Sequence, residues 1–275
     1  MSKAACQSFI YGTAWKKEAT TALVELAVRS GFRAVDTANQ AKHYSAQLVG
    51  DALANLAACG ISRDQLWLQT KFTPVDGQDH RLPYDPEADL GTQVKQSFAS
   101  SLEHLRADYV DSYLLHGPYH YPALGAEDFE VWRAMEEIYK SGAAKSIGIS
   151  NVNIQQMEML VSRSAIKPMM VQNRCFANRG WDKAVRDFCR RHAIHYQGFS
   201  LLTANPQVLH HARIREIAGR CSVTPAQIIF RFAYQIGMIP LTGTTDEGHM
   251  KMDLGIFGFE LSAEDMTFIE NIDRS

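Results

Sequence analysis

Three residue types that work together in acid–base chemistry stand at the ends of three successive β-rich runs: Asp36, Lys71 and His116. Each has an ordinary structural interpretation, as a turn cap, a solvated charge and a hydrogen-bonded core histidine. A carboxylate and an ammonium buried together are costly unless their surroundings use or compensate them. Because all three would converge at the mouth of a parallel barrel, their combination favours a functional site.

The elements that carry these residues alternate between strand and helix. Eight β-rich runs are separated by segments with apolar residues at helical spacing, and from the second run onward they recur about every 34 residues, close to the length of one βαβ unit. The pattern predicts an α/β fold, a (β/α)8 TIM barrel of one domain over 1–275, with its chemistry at the carboxyl ends of the strands. The alternative, a doubly wound sheet, normally carries a Gly-x-Gly-x-x-Gly turn, which is missing after the first run. The runs are 9–13, 33–36, 66–71, 110–116, 145–150, 169–173, 195–199 and 238–241.

Composition and charge argue against several other classes. The 28 Lys+Arg and 30 Asp+Glu residues give a net charge of −2, so we expect neither nucleic acid nor an anionic membrane as a partner. The five cysteines are widely spaced and lack a Cys-x-x-Cys pair, and the histidines lack companions at zinc spacing, so no metal is expected. No run approaches the roughly 20 apolar residues that cross a bilayer, and the first residues lack a secretory pattern, so we expect a cytoplasmic protein.

Five segments resemble the aldo-keto reductase family, and the resemblance runs over nearly the whole chain. Segment 31–38, Gly-Phe-Arg-Ala-Val-Asp-Thr-Ala, is similar to the family's second strand, 69–71 to the strand with its lysine, and 111–116 to the strand with its histidine. Segments 148–151 and 171–173 are similar to the two turns that hold the nicotinamide amide. The resemblance implies a barrel that reduces carbonyl compounds with a nicotinamide cofactor, without a Rossmann fold and without a metal.

The family's catalytic tyrosine is displaced in this sequence. The usual pattern Asp-Thr-Ala-x-x-Tyr would place it at Ala41, and the Val-Gly pair that follows comes two residues late. The loop 39–44 is therefore longer by two residues, and counting back from Val49 and Gly50 puts His43 in the place of the tyrosine, with Tyr44 beside it. We predict Tyr44 and keep His43 as the alternative.

The resemblance implies a role for each member of this catalytic group. Tyr44 would give a proton to the substrate oxygen while the reduced nicotinamide delivers a hydride. A free tyrosine has a pKa near 10, so the Lys71 ammonium, held by Asp36, would lower that pKa. His116 would orient the carbonyl and donate a hydrogen bond to the developing oxyanion.

The resemblance also implies where the cofactor binds. Phe199 would lie against the nicotinamide face, and Ser200 would begin the loop near the pyrophosphate. The loop after the last strand departs from the family, because Gly243, Thr244 and His249 stand where a lysine, a serine and an arginine usually hold the 2′-phosphate. NADPH is therefore the first expectation and NADH the alternative. The full predicted cofactor-binding set is Thr13, Asp36, Ser150, Asn151, Gln172, Phe199, Ser200, Leu202, Thr242, Gly243, Thr244, Thr245 and His249.

The expected substrate is a small carbonyl compound, and its identity depends on variable loops. Trp15 and Trp181 follow strand ends and would form walls of the substrate pocket beside His116. A monomer is the family's pattern and our expectation. Two other functions stay open: a cofactor-binding barrel with a regulatory role, and an unrelated barrel lyase in which Lys71 forms a Schiff base.

Overall fold

Eight parallel strands close into a barrel and follow one another around the ring in chain order. The computed structural model describes residues 8–272, so Cys6 and both ends of the predicted 1–275 domain lie outside the described part. Each predicted run coincides with one strand to within two residues, which confirms the single-domain (β/α)8 fold. The strands are β1 (Ile10–Gly12), β2 (Ala34–Asp36), β3 (Trp67–Phe72), β4 (Ser112–Leu115), β5 (Ile147–Ser150), β6 (Met170–Arg174), β7 (His195–Phe199) and β8 (Met238–Thr242).

The helices form the outer layer, and short polar residues begin several of them. Asp89, Asn153 and Thr224 each accept a hydrogen bond from the backbone N–H three residues later, which satisfies a donor that the first turn of a helix leaves free. The helices are α1 (Thr20–Ser30), α2 (Ala46–Ala58), α3 (Leu90–Leu105), α4 (Ala126–Lys140), α5 (Ile154–Arg163), α6 (Lys183–Arg191), α7 (Pro206–Leu209), α8 (Ala212–Cys221), α9 (Pro225–Gln235), α10 (Glu247–Leu254) and α11 (Ala263–Glu270).

The alternation of side chains along each strand divides the barrel interior into two layers. Successive side chains point to opposite faces of a strand, so Trp67, Gln69 and Lys71 of β3 share the inward face. The lower layer is apolar and comprises Ile10, Ala34, Trp67, Leu114, Met170 and Leu241. The upper layer, nearer the carboxyl ends of the strands, holds buried polar side chains, among them Asp36, Gln69, Lys71, Gln172 and Gln197.

Two further observations hold for residues 8–272. No helix in this range is both long and apolar enough to span a bilayer. The same range contains no group of three or more His, Cys, Asp or Glu side chains placed to hold a metal ion.

Helices α2 and α3 approach each other closely at one glycine. A Cβ atom on Gly50, in the first half of α2, would lie 2.0 Å from the carbonyl oxygen of His104, near the end of α3. No methyl group fits at that distance from a backbone oxygen. Because α2 begins at Ala46, directly after the loop that carries Tyr44, this contact also fixes the end of that loop.

We expect Gly50→Ala to lower the free energy of unfolding by about 1–3 kcal/mol, because the added methyl group forces α2 and α3 apart. Gly219→Ala is the matched control. Gly219 lies in α8 with nothing within 4 Å of an added Cβ, so the gain in helix propensity should stabilise the protein by up to about 1 kcal/mol. Urea denaturation measures both variants, and equal stability of the two would contradict the close approach.

Candidate active site

A buried ion pair joins the ends of β2 and β3. The Nζ atom of Lys71 lies 2.6 and 2.7 Å from the two carboxylate oxygens of Asp36 and donates to the carbonyl oxygen of Thr37 at 2.9 Å. The Lys71 side chain is 0% exposed. Burial lowers the pKa of Lys71, and the Asp36 carboxylate opposes that shift. Two charges taken out of water need such close partners, so the pair is rigidly placed.

Tyr44 and His116 lie directly above this pair. The centre of the Tyr44 ring is 5.3 Å from Lys71 Nζ and 5.8 Å from the centre of the His116 ring, which it meets edge to face. The structure therefore brings all four residues of the predicted catalytic group together. Burial and the Asp36 carboxylate raise the pKa of Tyr44, so the lowering that we expected from Lys71 is not seen. Tyr44 keeps its proton at neutral pH.

His43 occupies a different place from its neighbour. Its ring contacts that of Trp15 at a tilt of 40° with 4.0 Å between ring centres, and its Nδ1 atom lies 2.9 Å from the side-chain oxygen of Gln40. Tyr44 and Trp15 line the cavity at the barrel mouth, whereas His43 is not among the residues that line it. Of the two candidates for the position of the family's catalytic tyrosine, only Tyr44 lines the cavity.

His116 is held by its neighbours in a neutral state. Its Nδ1 atom lies 2.7 Å from the hydroxyl oxygen of Thr73, and its carbonyl oxygen accepts from the Asn151 side chain at 2.8 Å. Burial and the positive charge of Lys71 lower the pKa of His116 to about 3. A neutral imidazole has one N–H donor and one acceptor nitrogen, so His116 can donate a hydrogen bond without carrying charge.

A cavity of about 470 Å³ opens at the carboxyl ends of the strands. That volume lies in the range of cofactor and small-molecule sites. Its lining includes Tyr44 and His116 from the predicted catalytic group and Thr244 and His249 from the segment after β8. Of the predicted cofactor-binding residues, those that line it are Asp36, Ser150, Asn151, Gln172, Phe199, Ser200, Leu202, Thr242, Gly243, Thr244 and His249.

Three of the residues predicted to bind cofactor or substrate lie elsewhere. Thr13 is buried behind the wall, where its hydroxyl donates to the carbonyl oxygen of Asp36 at 2.9 Å, and the exposed Thr245 is not part of the wall. The prediction that Trp181 forms a wall of the substrate pocket is wrong. The segment 177–182 turns this indole into the core, where it is 0% exposed and donates to the carbonyl oxygen of Ile269. Trp15, by contrast, stands 66% exposed at the mouth.

Two charged residues of the wall were missed by the sequence analysis. Lys16 donates to the carbonyl oxygen of Gly243, so it links the loop after β1 to the loop after β8. Asp253 accepts from the Thr242 hydroxyl at 2.8 Å, and burial raises the pKa of this carboxyl group to about 6. Asp253 lies four residues after His249 on α10, a spacing that puts both on one helix face.

Chemistry at the carboxyl ends of eight parallel strands marks the class of (β/α)8-barrel enzymes, and this site has that placement. Within that class the chain belongs to the aldo/keto reductase family of oxidoreductases, because the family model matches residues 7–274. The match confirms the resemblance seen in the sequence motifs.

Individual relatives agree with this assignment. Glyoxal reductase of Bacillus subtilis is 31% identical over 256 residues, covering 92% of this chain and 83% of its own. D-galacturonate reductase of Fragaria ananassa is 32% identical over 280 residues, covering 93% and 82%. Among solved structures, an aldo/keto reductase from Brucella melitensis has a TM-score of 0.81 at 26% identity, covering 96% of this chain and 94% of that one. An aldo-keto reductase complexed with NADPH shares the fold, with a TM-score of 0.83 at 22% identity and coverage of 97% and 84%.

We expect the His116 imidazole to remain neutral from neutral pH down to about pH 4, far below the ordinary histidine pKa of about 6.5. Lys71→Met removes the nearby positive charge, so His116 should then titrate at a higher pH. Imidazole NMR signals followed across a pH series measure both. Titration of His116 near the ordinary value in the unaltered protein would contradict the neutral assignment.

Proposed function

We propose that this protein reduces a small aldehyde or ketone to an alcohol with a reduced nicotinamide cofactor, acting as a cytoplasmic monomer. The observation that carries the proposal is the meeting of Tyr44, His116 and the Asp36–Lys71 pair at one end of the cavity. Relatives named glyoxal reductase and D-galacturonate reductase support a small carbonyl substrate.

The residues of the cavity fit a nicotinamide cofactor. The polar side chains Ser150, Asn151 and Gln172 stand together on the wall near the catalytic group, where they would hold the carboxamide, and the Phe199 ring lies on the same wall. On the part of the wall formed by the segments after β1 and β8, the Lys16 ammonium and Thr244 would face the phosphates. The bound cofactor would supply a hydride. NADPH is our first candidate, supported by the NADPH complex of a fold neighbour, and NADH is the alternative.

In the proposed mechanism, Tyr44 donates its proton to the carbonyl oxygen of the substrate. Its raised pKa keeps the proton in place until the oxygen becomes basic during reduction. The resulting phenolate would then lie close to the Lys71 ammonium, whose charge stabilises it. The Thr73 hydroxyl would donate to Nδ1 of His116, which leaves the imidazole proton on Nε2 to hold the carbonyl oxygen.

The alternative functions differ in what they require of the site. A Schiff-base lyase needs a lysine amine that is open to the substrate. Lys71 is instead fully buried and engaged by three oxygen atoms. Membership of the aldo/keto reductase family also argues against an unrelated barrel lyase. A regulatory barrel would bind the cofactor without turnover, so activity on an aldehyde decides between that function and a reductase.

Tyr44→Phe should lower kcat for reduction of glyoxal by about 10²–10⁴, the usual loss on removing a general acid, while the Kd for the cofactor stays unchanged. Tryptophan fluorescence quenching measures binding, and loss of NAD(P)H absorbance measures turnover. His43→Gln is the matched control and should keep its activity, because His43 is not among the residues that line the cavity. Loss of activity in His43→Gln but not in Tyr44→Phe would move the acid to His43. Failure of the unaltered protein to bind either cofactor would overturn the proposed function.

Asp253→Asn should tighten NADPH binding by about tenfold, or ~1.4 kcal/mol, with little effect on NADH. The buried carboxylate lies at the end of the cavity expected to take the adenosine, where a 2′-phosphate would meet its negative charge. Because the pKa of this group is about 6, the advantage of the variant should grow as pH rises above that value. Fluorescence titrations with both cofactors at two pH values measure it, and equal gains for NADPH and NADH would contradict a charge effect.

A further inference from the structure

Three buried glutamine side chains lie immediately beneath the catalytic ion pair. Gln69 on β3, Gln172 on β6 and Gln197 on β7 are each at most 4% exposed, and they meet in the upper polar layer of the barrel interior. The mechanism above uses only Gln172, as a cofactor contact. An amide group buried in a barrel has to be fully paired to be tolerated, so this group is held in a defined arrangement.

Two of the three amides donate to the catalytic carboxylate. The Oδ1 atom of Asp36 accepts from Nε2 of Gln69 at 2.7 Å and from Nε2 of Gln172 at 3.1 Å. The same oxygen accepts from Nζ of Lys71 at 2.6 Å. The position of the Asp36 carboxylate thus depends on the orientation of both amides as well as on the lysine.

Gln197 sets that orientation. Among the hydrogen bonds of residues 8–272, its side chain pairs with the two other glutamines and not with Asp36. Its Oε1 atom accepts from Nε2 of Gln69 at 2.8 Å and from Nε2 of Gln172 at 2.9 Å. Its own Nε2 atom donates to Oε1 of Gln69 at 3.0 Å. If either partner amide turned over, an oxygen would face Oε1 of Gln197 and the carboxylate of Asp36, so only one orientation satisfies the network.

The same network determines what Gln172 offers to the cavity. Its Nε2 atom is engaged by Asp36 and Gln197, while its side chain lines the cavity wall. The atom that remains for a ligand is the acceptor Oε1, which suits the N–H donors of a carboxamide. A turned Gln172 would present donors instead and would lose its bonds to Asp36.

We infer that Gln197 is a positioning residue that acts through Gln69 and Gln172. Through these two amides it holds the Asp36 carboxylate under Lys71, and through Gln172 it also presents an amide acceptor to the cofactor. The inference rests on the proposed function, since its effect is read through cofactor binding and carbonyl reduction. Gln197 thereby links the Asp36 carboxylate to the Gln172 cofactor contact, so a change at Gln197 alters cofactor affinity and turnover together.

The test compares Gln197→Met, Gln197→Glu and the control Thr70→Val. Methionine fills a similar volume without pairing the amides, so we expect the Kd for NAD(P)H to rise and kcat to fall, each by about tenfold. Thr70 is buried on the opposite face of β3, and its hydroxyl has no partner among residues 8–272, so Thr70→Val should match the unaltered protein. Fluorescence titration gives Kd, and glyoxal reduction gives kcat.

Gln197→Glu supplies a readout that a space-filling role would not produce. A protonated carboxyl group has one acceptor oxygen and one O–H donor, which reproduces the pairing of the amide. The ionised carboxylate lacks the donor and places a second negative charge beside Asp36. Cofactor affinity and kcat of this variant should therefore approach those of the unaltered protein at low pH and fall in an additional step as pH rises.

Each outcome decides between the possibilities. Unchanged Kd and kcat in Gln197→Met, or a Gln197→Glu pH profile that matches the unaltered protein, would overturn the positioning role. If Gln197→Met does not fold, the pH step of Gln197→Glu decides alone. Failure of the unaltered protein to bind either cofactor would overturn the proposed function and this inference with it, and that result is distinct from a variant-specific loss.

Discussion

The candidate active site depends on one constraint: the ammonium group of Lys71 and the carboxylate of Asp36 are both buried away from water. Buried charges lose their hydration and persist only when close partners replace it. Lys71 has three oxygen partners, two from Asp36 and one from Thr37, and Asp36 gains two amide donors from the strands around it. A closed barrel meets this requirement because its adjoining strands β2 and β3 pair in register, so their inward side chains meet without solvent between them.

Above this charged pair, the groups that would touch a substrate are neutral. Burial raises the pKa of Tyr44 and lowers that of His116, so around neutral pH both residues hold a proton to donate and neither adds charge. The arrangement separates two tasks. In the proposed mechanism, the paired charges below would supply a fixed electrostatic field, and the neutral donors above would interact with the oxygen atom on which negative charge develops, in a setting that needs little reorganisation.

Periodic elements explain what the sequence predicts and what it does not. The eight strands, and the acid, lysine and histidine at their ends, follow from β-rich runs that alternate with helical patterns at regular spacing. The choice between Tyr44 and His43 depends on the backbone of an irregular loop, and Trp181 was misplaced because segment 177–182 departs from regular geometry and carries the indole inward. Gln197 and Asp253 were missed although the two-residue period of a strand and the four-residue spacing of a helix mark their positions.

The close contact at Gly50 bears on how the loop 39–44 of this chain can vary. Because α2 is locked against α3 only a few residues after Tyr44, the helix cannot slide to absorb a change in the length of the preceding loop. Lys42, in the middle of that loop, is exposed, so residues inserted beside it would extend towards solvent. The contact at Gly50 thus anchors the end of the loop, so an insertion at its exposed middle would change the rim of the cavity and leave the residues next to α2 in place.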